Sequence, residues 1–143
     1  MNYIFPWLGV DNSAKMSFKN GRIGFSVIQN LITQRTTNSI LINTLPENMQ
    51  HCLISNTTSI QDEIACINNY LDDENYHVGI YIYGLNHCDV SVERKQTQLR
   101  QMGFRNVYIY LGGLFEWLLL QDIYGKTEFP TTSVQKDILI FKP

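Results

Sequence analysis

Two periodicities alternate along the chain. From Val78 to Tyr83 the run Val-Gly-Ile-Tyr-Ile-Tyr has almost no polar alternation, the pattern of a central strand covered on both faces in a parallel sheet. Asn106 to Tyr110 repeats that character, and Ile40 to Asn43 predicts an earlier buried strand. Helical spacing lies between them. Val27, Ile28, Leu31 and Ile32 predict a helix capped by Ser26 and running to about Thr33. A second helix opens at Thr58 or Ser59, with Asp62 and Glu63 near the positive end of its dipole and Ile60, Ile64, Ile67 and Leu71 as its apolar stripe. The polar turn Asp72-Asp73-Glu74-Asn75 ends it. Val92 to Met102 predicts a third helix, closed by Gly103-Phe104. After Gly112-Gly113, the residues Leu114 to Leu120 are apolar almost all round and predict a largely buried fourth helix. Cys52-Leu53-Ile54 is a candidate short strand, and Asp137 to Phe141 a final strand or arm.

Strands that alternate with helices of about ten residues imply right-handed crossovers, hence an α/β fold with a central, mainly parallel sheet flanked by helices. The expected organisation is one domain over 1–143, with an irregular arm over 1–22, in which Phe5, Pro6, Trp7 and Leu8 pack on a core spanning 23–143. A content of 44% hydrophobic and 17% charged residues suits a core that stands alone. No apolar run approaches the roughly 20 residues that span a bilayer, and the first residues carry neither a basic leader nor a cleavable apolar stretch. A cytoplasmic protein with no membrane partner is expected.

The net charge of -2 hides a segregated distribution. No Lys or Arg occurs between Thr36 and Glu93, and then Arg94, Lys95, Arg100 and Arg105 follow close together. Those four cations read as a solvated helix face and its exit, too few to neutralise a nucleic-acid backbone. Cys52, Cys66 and Cys88 form neither a disulfide framework nor a CxxC pair. Cys66 reads as a small packed residue on the second helix. The dipeptides His51-Cys52 and His87-Cys88 would point adjacent side chains to opposite faces of extended chain, so no metal site is expected from them.

From about Ile80 to Trp117 the order of parts is an apolar strand ending in Tyr83, a loop, a helix, Gly103-Phe104, a strand, Gly112-Gly113 and Trp117. That order resembles the C-terminal half of a rhodanese domain, and Ser39 to Thr44 looks like the family's early strand. The resemblance implies a rhodanese-like three-layer fold and, in active members, a persulfide-carrying cysteine as the first loop residue after the strand. Here that residue is Gly84, which has no sulfur. The family's early aspartate corresponds to Asn43, the arginine that follows it is absent, and so is the histidine-proline-glycine-alanine stretch before the middle helix.

In an open parallel sheet, ligands sit beyond the carboxyl ends of the strands. A loop whose backbone N–H groups converge before a helix start attracts anions and favours a thiolate at its base. The candidate ligand-binding loop is therefore Gly84-Leu85-Asn86-His87-Cys88-Asp89-Val90-Ser91, with Gly112, Gly113 and Glu116 bordering a shallow pocket. Leu85 and His87 should be at least partly exposed there, and no cofactor is implied. Two catalytic alternatives use Cys88. In one it carries sulfur from the far end of the loop. In the other, His87-Cys88 and Arg94 match the His-Cys-five-residues-Arg pattern of protein tyrosine phosphatases. Against the second, Asp89 and Glu93 would repel a phosphate dianion. The leading expectation is a catalytically inactive rhodanese-like domain that recognises a protein or a small anionic ligand through this loop.

Overall fold

A computed structural model describes residues 21–143; the expected arm at Phe5 to Leu8 lies outside them. Among the described residues four parallel strands form the sheet: β1 (Arg22–Ile23), β2 (Ser39–Asn43), β3 (Gly79–Tyr83) and β4 (Asn106–Tyr110), in the order β1-β4-β3-β2. The helices are α1 (Phe25–Gln34), α2 (Ile60–Asp72), α3 (Ser91–Gln101) and α4 (Gly113–Tyr124), with 3-10 turns at Glu47–Met49 and Ile138–Phe141. The architecture is the expected parallel sheet between two helical layers.

Alternation along the strands divides the core in two. Ile42, Ile80, Ile82, Val107 and Ile109 face the layer of α2 and α3, where Ile67, Val92 and Leu99 meet them. Leu41, Tyr83 and Tyr110 face α1, α4 and the C-terminal turn, where Ile28, Leu114, Trp117 and Phe141 fill the space. Ile80, Ile82 and Val107 are inaccessible to solvent and Ile109 is 1% exposed, as the unbroken apolar runs predict. Trp117 is buried and meets Tyr110 and Phe129 edge-on, with centroids 6.1 and 5.0 Å away. Its indole N–H donates to Pro130 O at 3.1 Å, so it anchors α4 to the sheet and to the loop that follows.

Several local expectations need correction. Ser26 is not a cap: a single residue, Gly24, separates β1 from α1, so the helix starts at Phe25 and Ser26 is buried inside its first turn. Arg22, expected in the arm, pairs with Ile109 in β1. Ser59 does cap α2, accepting from Asp62 N at 3.1 Å, but the inward face of that helix is rotated from the apolar stripe. Glu63 is buried and forms an ion pair with Lys95 of α3, while Ile64 is 69% exposed. Ile67 and Leu71 of the expected stripe pack inward, joined by Glu63 and Tyr70.

Cys52-Leu53-Ile54 yields only one antiparallel bridge, Ile54 to Thr131, rather than a strand. Residues 138–141 form a 3-10 turn against α4, because Phe141 is drawn into the core between them. The fourth helix is less buried than its composition suggests, with Leu119 40% and Ile123 70% exposed. Only one of its faces meets the sheet. None of the described helices is long and apolar enough to cross a membrane.

Replacing Ile82 by Ala should lower the unfolding free energy by roughly 2–5 kcal/mol, because it opens a cavity in close-packed core. Ile64→Ala on the outer face of α2 should change it by less than about 0.5 kcal/mol. Urea denaturation of both variants checks the assignment, and equal losses would contradict it.

Candidate functional site

The loop of residues 84–91 leaves the carboxyl end of β3 and enters α3, and its interior is occupied by one of its own side chains. Asp89 Oδ2 accepts from Leu85 N at 2.9 Å. Asp89 Oδ1 accepts from Ser91 N at 3.0 Å and from Ser91 Oγ at 2.6 Å. Ser91 Oγ also lies 2.7 Å from Thr44 Oγ1, which ties the loop to the chain leaving β2. Backbone donors at both ends of the loop thus converge on an internal carboxylate. Charge-assisted bonds of this kind are about twice as strong as neutral ones.

Gly84 is needed for that arrangement. A β-carbon at position 84 would fall inside contact distance of Asp89 Oδ2 and 2.9 Å from Val92 Cγ1. Any side chain there, a cysteine included, would have to displace the carboxylate or the buried valine. A side chain at position 84 and the Asp89 carboxylate in its observed place therefore compete for the same space.

The rest of the loop is scaffold on one side and surface on the other. Asn86 is buried; its Oδ1 accepts from Cys88 N at 2.9 Å and its Nδ2 donates to Phe141 O at 2.8 Å. Its carbonyl accepts from Asp89 N at 3.1 Å. His87, Cys88 and Val90 are exposed and Leu85 is half-buried, as expected for the outward side. Cys66, by contrast, is half-buried on α2, and Cys52 is buried with Sγ 3.4 Å from Ser133 O.

The Gly112 to Glu116 turn is stitched to the loop. Leu114 N donates to Gly84 O and Phe115 N to Leu85 O, both at 2.9 Å, so two donors at the start of α4 that would be free for a ligand are satisfied internally. Gly113 has φ of +69°, and a β-carbon there would come within 2.8 Å of Gly84 O and Asn86 N. Close backbone approach explains that glycine. Glu116 accepts from Tyr110 OH at 2.6 Å. Burial, reinforced by the hydrogen bond to Glu116 and by its charge, pushes the Tyr110 phenol far up from its ordinary value. Burial does the same to Tyr83, opposed in part by hydrogen bonds to Thr57 and Ile54 N. Both tyrosines are protonated supports beneath the loop.

Arg94 lies in the first turn of α3, exposed, in a shallow groove on the helix's outer side with Val90, Glu93, Thr97, Gln98 and Gln101. Between Cys88 and Arg94, the amides of Cys88, Asp89 and Ser91 are already bonded within the loop, and the Asp89 carboxylate takes the interior. These contacts do not make a phosphate cradle around Cys88. Asn43 is buried; its Oδ1 accepts from Leu45 N at 3.0 Å and from Gln50 Nε2 at 2.7 Å. This neutral pair was not foreseen from the sequence, since Gln50 stands seven residues on in an irregular segment. Among the described residues no cluster of His, Cys, Asp and Glu is placed to hold a metal ion.

The parallel sheet between helical layers matches the rhodanese-like α/β fold of solved structures. No family model matches the sequence, and no curated protein does. Solved structures do match. The rhodanese-like domain of the Alr3790 protein from Anabaena sp. is 18% identical, with 82% of each chain covered and a TM-score of 0.57. The BH2092 protein from Bacillus halodurans is 15% identical over 79% of this chain and 80% of its own, with a TM-score of 0.59. A full-length protein from Lactobacillus plantarum is 13% identical over 94% of this chain and 100% of its own, with a TM-score of 0.60. At these identities the likeness is one of fold.

A double-mutant cycle tests the link between Gly84 and Asp89. Gly84→Ala alone should cost about 1–3 kcal/mol through overpacking. Combined with Asp89→Gly, the total loss should fall short of the sum by about 0.5–3 kcal/mol. Strict additivity would show that the two positions do not compete for space.

Proposed function

We propose that the chain is a single rhodanese-like domain that has given up sulfur-transfer catalysis and acts in protein recognition through the outer side of the 84–91 loop. The observation that carries this reading is the Asp89 carboxylate, held by Leu85 N, Ser91 N and Ser91 Oγ beneath Gly84. A rhodanese loop that binds an anionic sulfur donor would present such donors to the donor molecule. Here they are spent on an internal anion, which also repels an incoming one. His87, Cys88, Val90 and the half-buried Leu85 then form the face available to a partner. That face favours a protein over a small anion.

Incubation with thiosulfate followed by intact-mass measurement and a cyanide assay tests the reading. Wild-type protein should gain no stable sulfur and should turn over at background, and Cys88→Ser should change neither result. Gly84→Cys should gain little, whereas Gly84→Cys combined with Asp89→Gly should acquire one sulfur. Wild-type turnover abolished by Cys88→Ser would replace this reading with a sulfurtransferase that works through Cys88.

A further inference from the structure

A second surface lies at the sheet edge formed by β2. Gly79 N donates to Asn38 O, which turns the backbone groups of the even-numbered residues of this strand toward β3 and those of the odd-numbered ones outward. Leu41 obeys that rule: its carbonyl accepts from Thr58 N at 2.8 Å, and it forms the bridge to Thr57. The cover stops there. The N–H and C=O of Ser39 point outward with no partner among the described residues, although the Ser39 hydroxyl is bonded to Thr36 Oγ1 at 2.6 Å.

Beside Ser39 is a cavity of about 240 Å3, with Leu31, Ile32, Ile40 and Leu41 among its walls and Arg35 at its rim. Arg35 caps α1 in the left-handed conformation, φ 45°, with its N–H on Leu31 O. Its guanidinium enters no ion pair among the described residues. It is also the last cation before Arg94 in the sequence, and no carboxylate lines the cavity.

We propose that this edge binds an extended, acidic peptide segment of a partner protein. The segment pairs its backbone with Ser39, places one apolar side chain in the cavity and sets a carboxylate on Arg35. Addition of chain to an open sheet edge supplies backbone hydrogen bonds, while the adjoining pocket and charge supply selectivity. The charge decides between occupants. The same segment of a second copy, Arg35 to Leu41, brings another arginine and no carboxylate.

The test uses three fluorescein-labelled peptides of alternating Val and Thr that differ at one flanking residue, Asp, Asn or Lys. Affinity is read by anisotropy, and the contact surface by amide chemical shifts of the 15N-labelled full chain. The Asp peptide should bind about tenfold more tightly than the Lys peptide, with shifts centred on Ser39, Ile40 and Leu41. Arg35→Asn, which tolerates the left-handed backbone, should abolish the preference while leaving the spectrum of the free protein otherwise intact. Equal affinities, shifts centred elsewhere, or no binding by any peptide at about 1 mM would overturn the proposal. So would a concentration-dependent dimer, seen in sedimentation, that protects the Ser39 amide.

Discussion

The arrangement at the head of the sheet depends on one buried-side contact, the Asp89 carboxylate gathered between Leu85 N and Ser91 beneath the α-carbon of Gly84. A loop of successive backbone N–H groups carries an electrostatic demand for an anion. An intramolecular carboxylate meets that demand without the translational entropy that a bound ligand would lose. The same contact fixes the loop's shape, requires a residue without Cβ at position 84 and leaves the other side of the loop, with His87, Cys88 and Val90, facing solvent. The side-chain-free position 84 and the internal carboxylate are thus two aspects of one packing solution.

That solution is supported from below and from the side. Tyr83 and Tyr110, at the ends of the two central strands, are buried with their hydroxyls bonded to Thr57 and Glu116. The start of α4 is bonded to the carbonyls of Gly84 and Leu85, and Asn86 reaches across to Phe141. The loop is consequently coupled to the sheet, to α4 and to the C-terminal turn. A partner that engaged its outer side would meet a preorganised surface, which reduces the ordering cost of association.

The sequence revealed the layers of the fold more readily than its details. Unbroken apolar runs such as Gly79 to Tyr83 can be satisfied only between two covering layers, so the central strands and their burial were legible directly. Glu63 was legible as a first-turn carboxylate suited to the helix dipole, but its inward orientation was not. In the fold its charge is compensated by Lys95, a contact between helices that no local pattern encodes. Residues 138–141, an apolar run that reads as a final strand or arm, instead form a 3-10 turn that seats Phe141 in the core. At the loop, the residues were legible and the geometry was not. Asp89 was recognisable as a charge hostile to anions, but its role as the loop's internal ligand depends on a side-chain direction that only the three-dimensional arrangement supplies. The Ser39 edge, and Arg35 without an ion-pair partner among the described residues, were likewise invisible, because openness is a property of what neighbouring chain leaves uncovered.

The central claim is that the loop already holds its anion. Titration of 15N-labelled protein with inorganic phosphate, following the amides of Leu85 and Ser91, tests it directly. The wild-type chain should show no saturable shift at these two amides, whereas Asp89→Gly, which empties the interior, should show one. Saturable phosphate binding by the wild type at those amides, with affinity equal to that of the variant, would contradict the account.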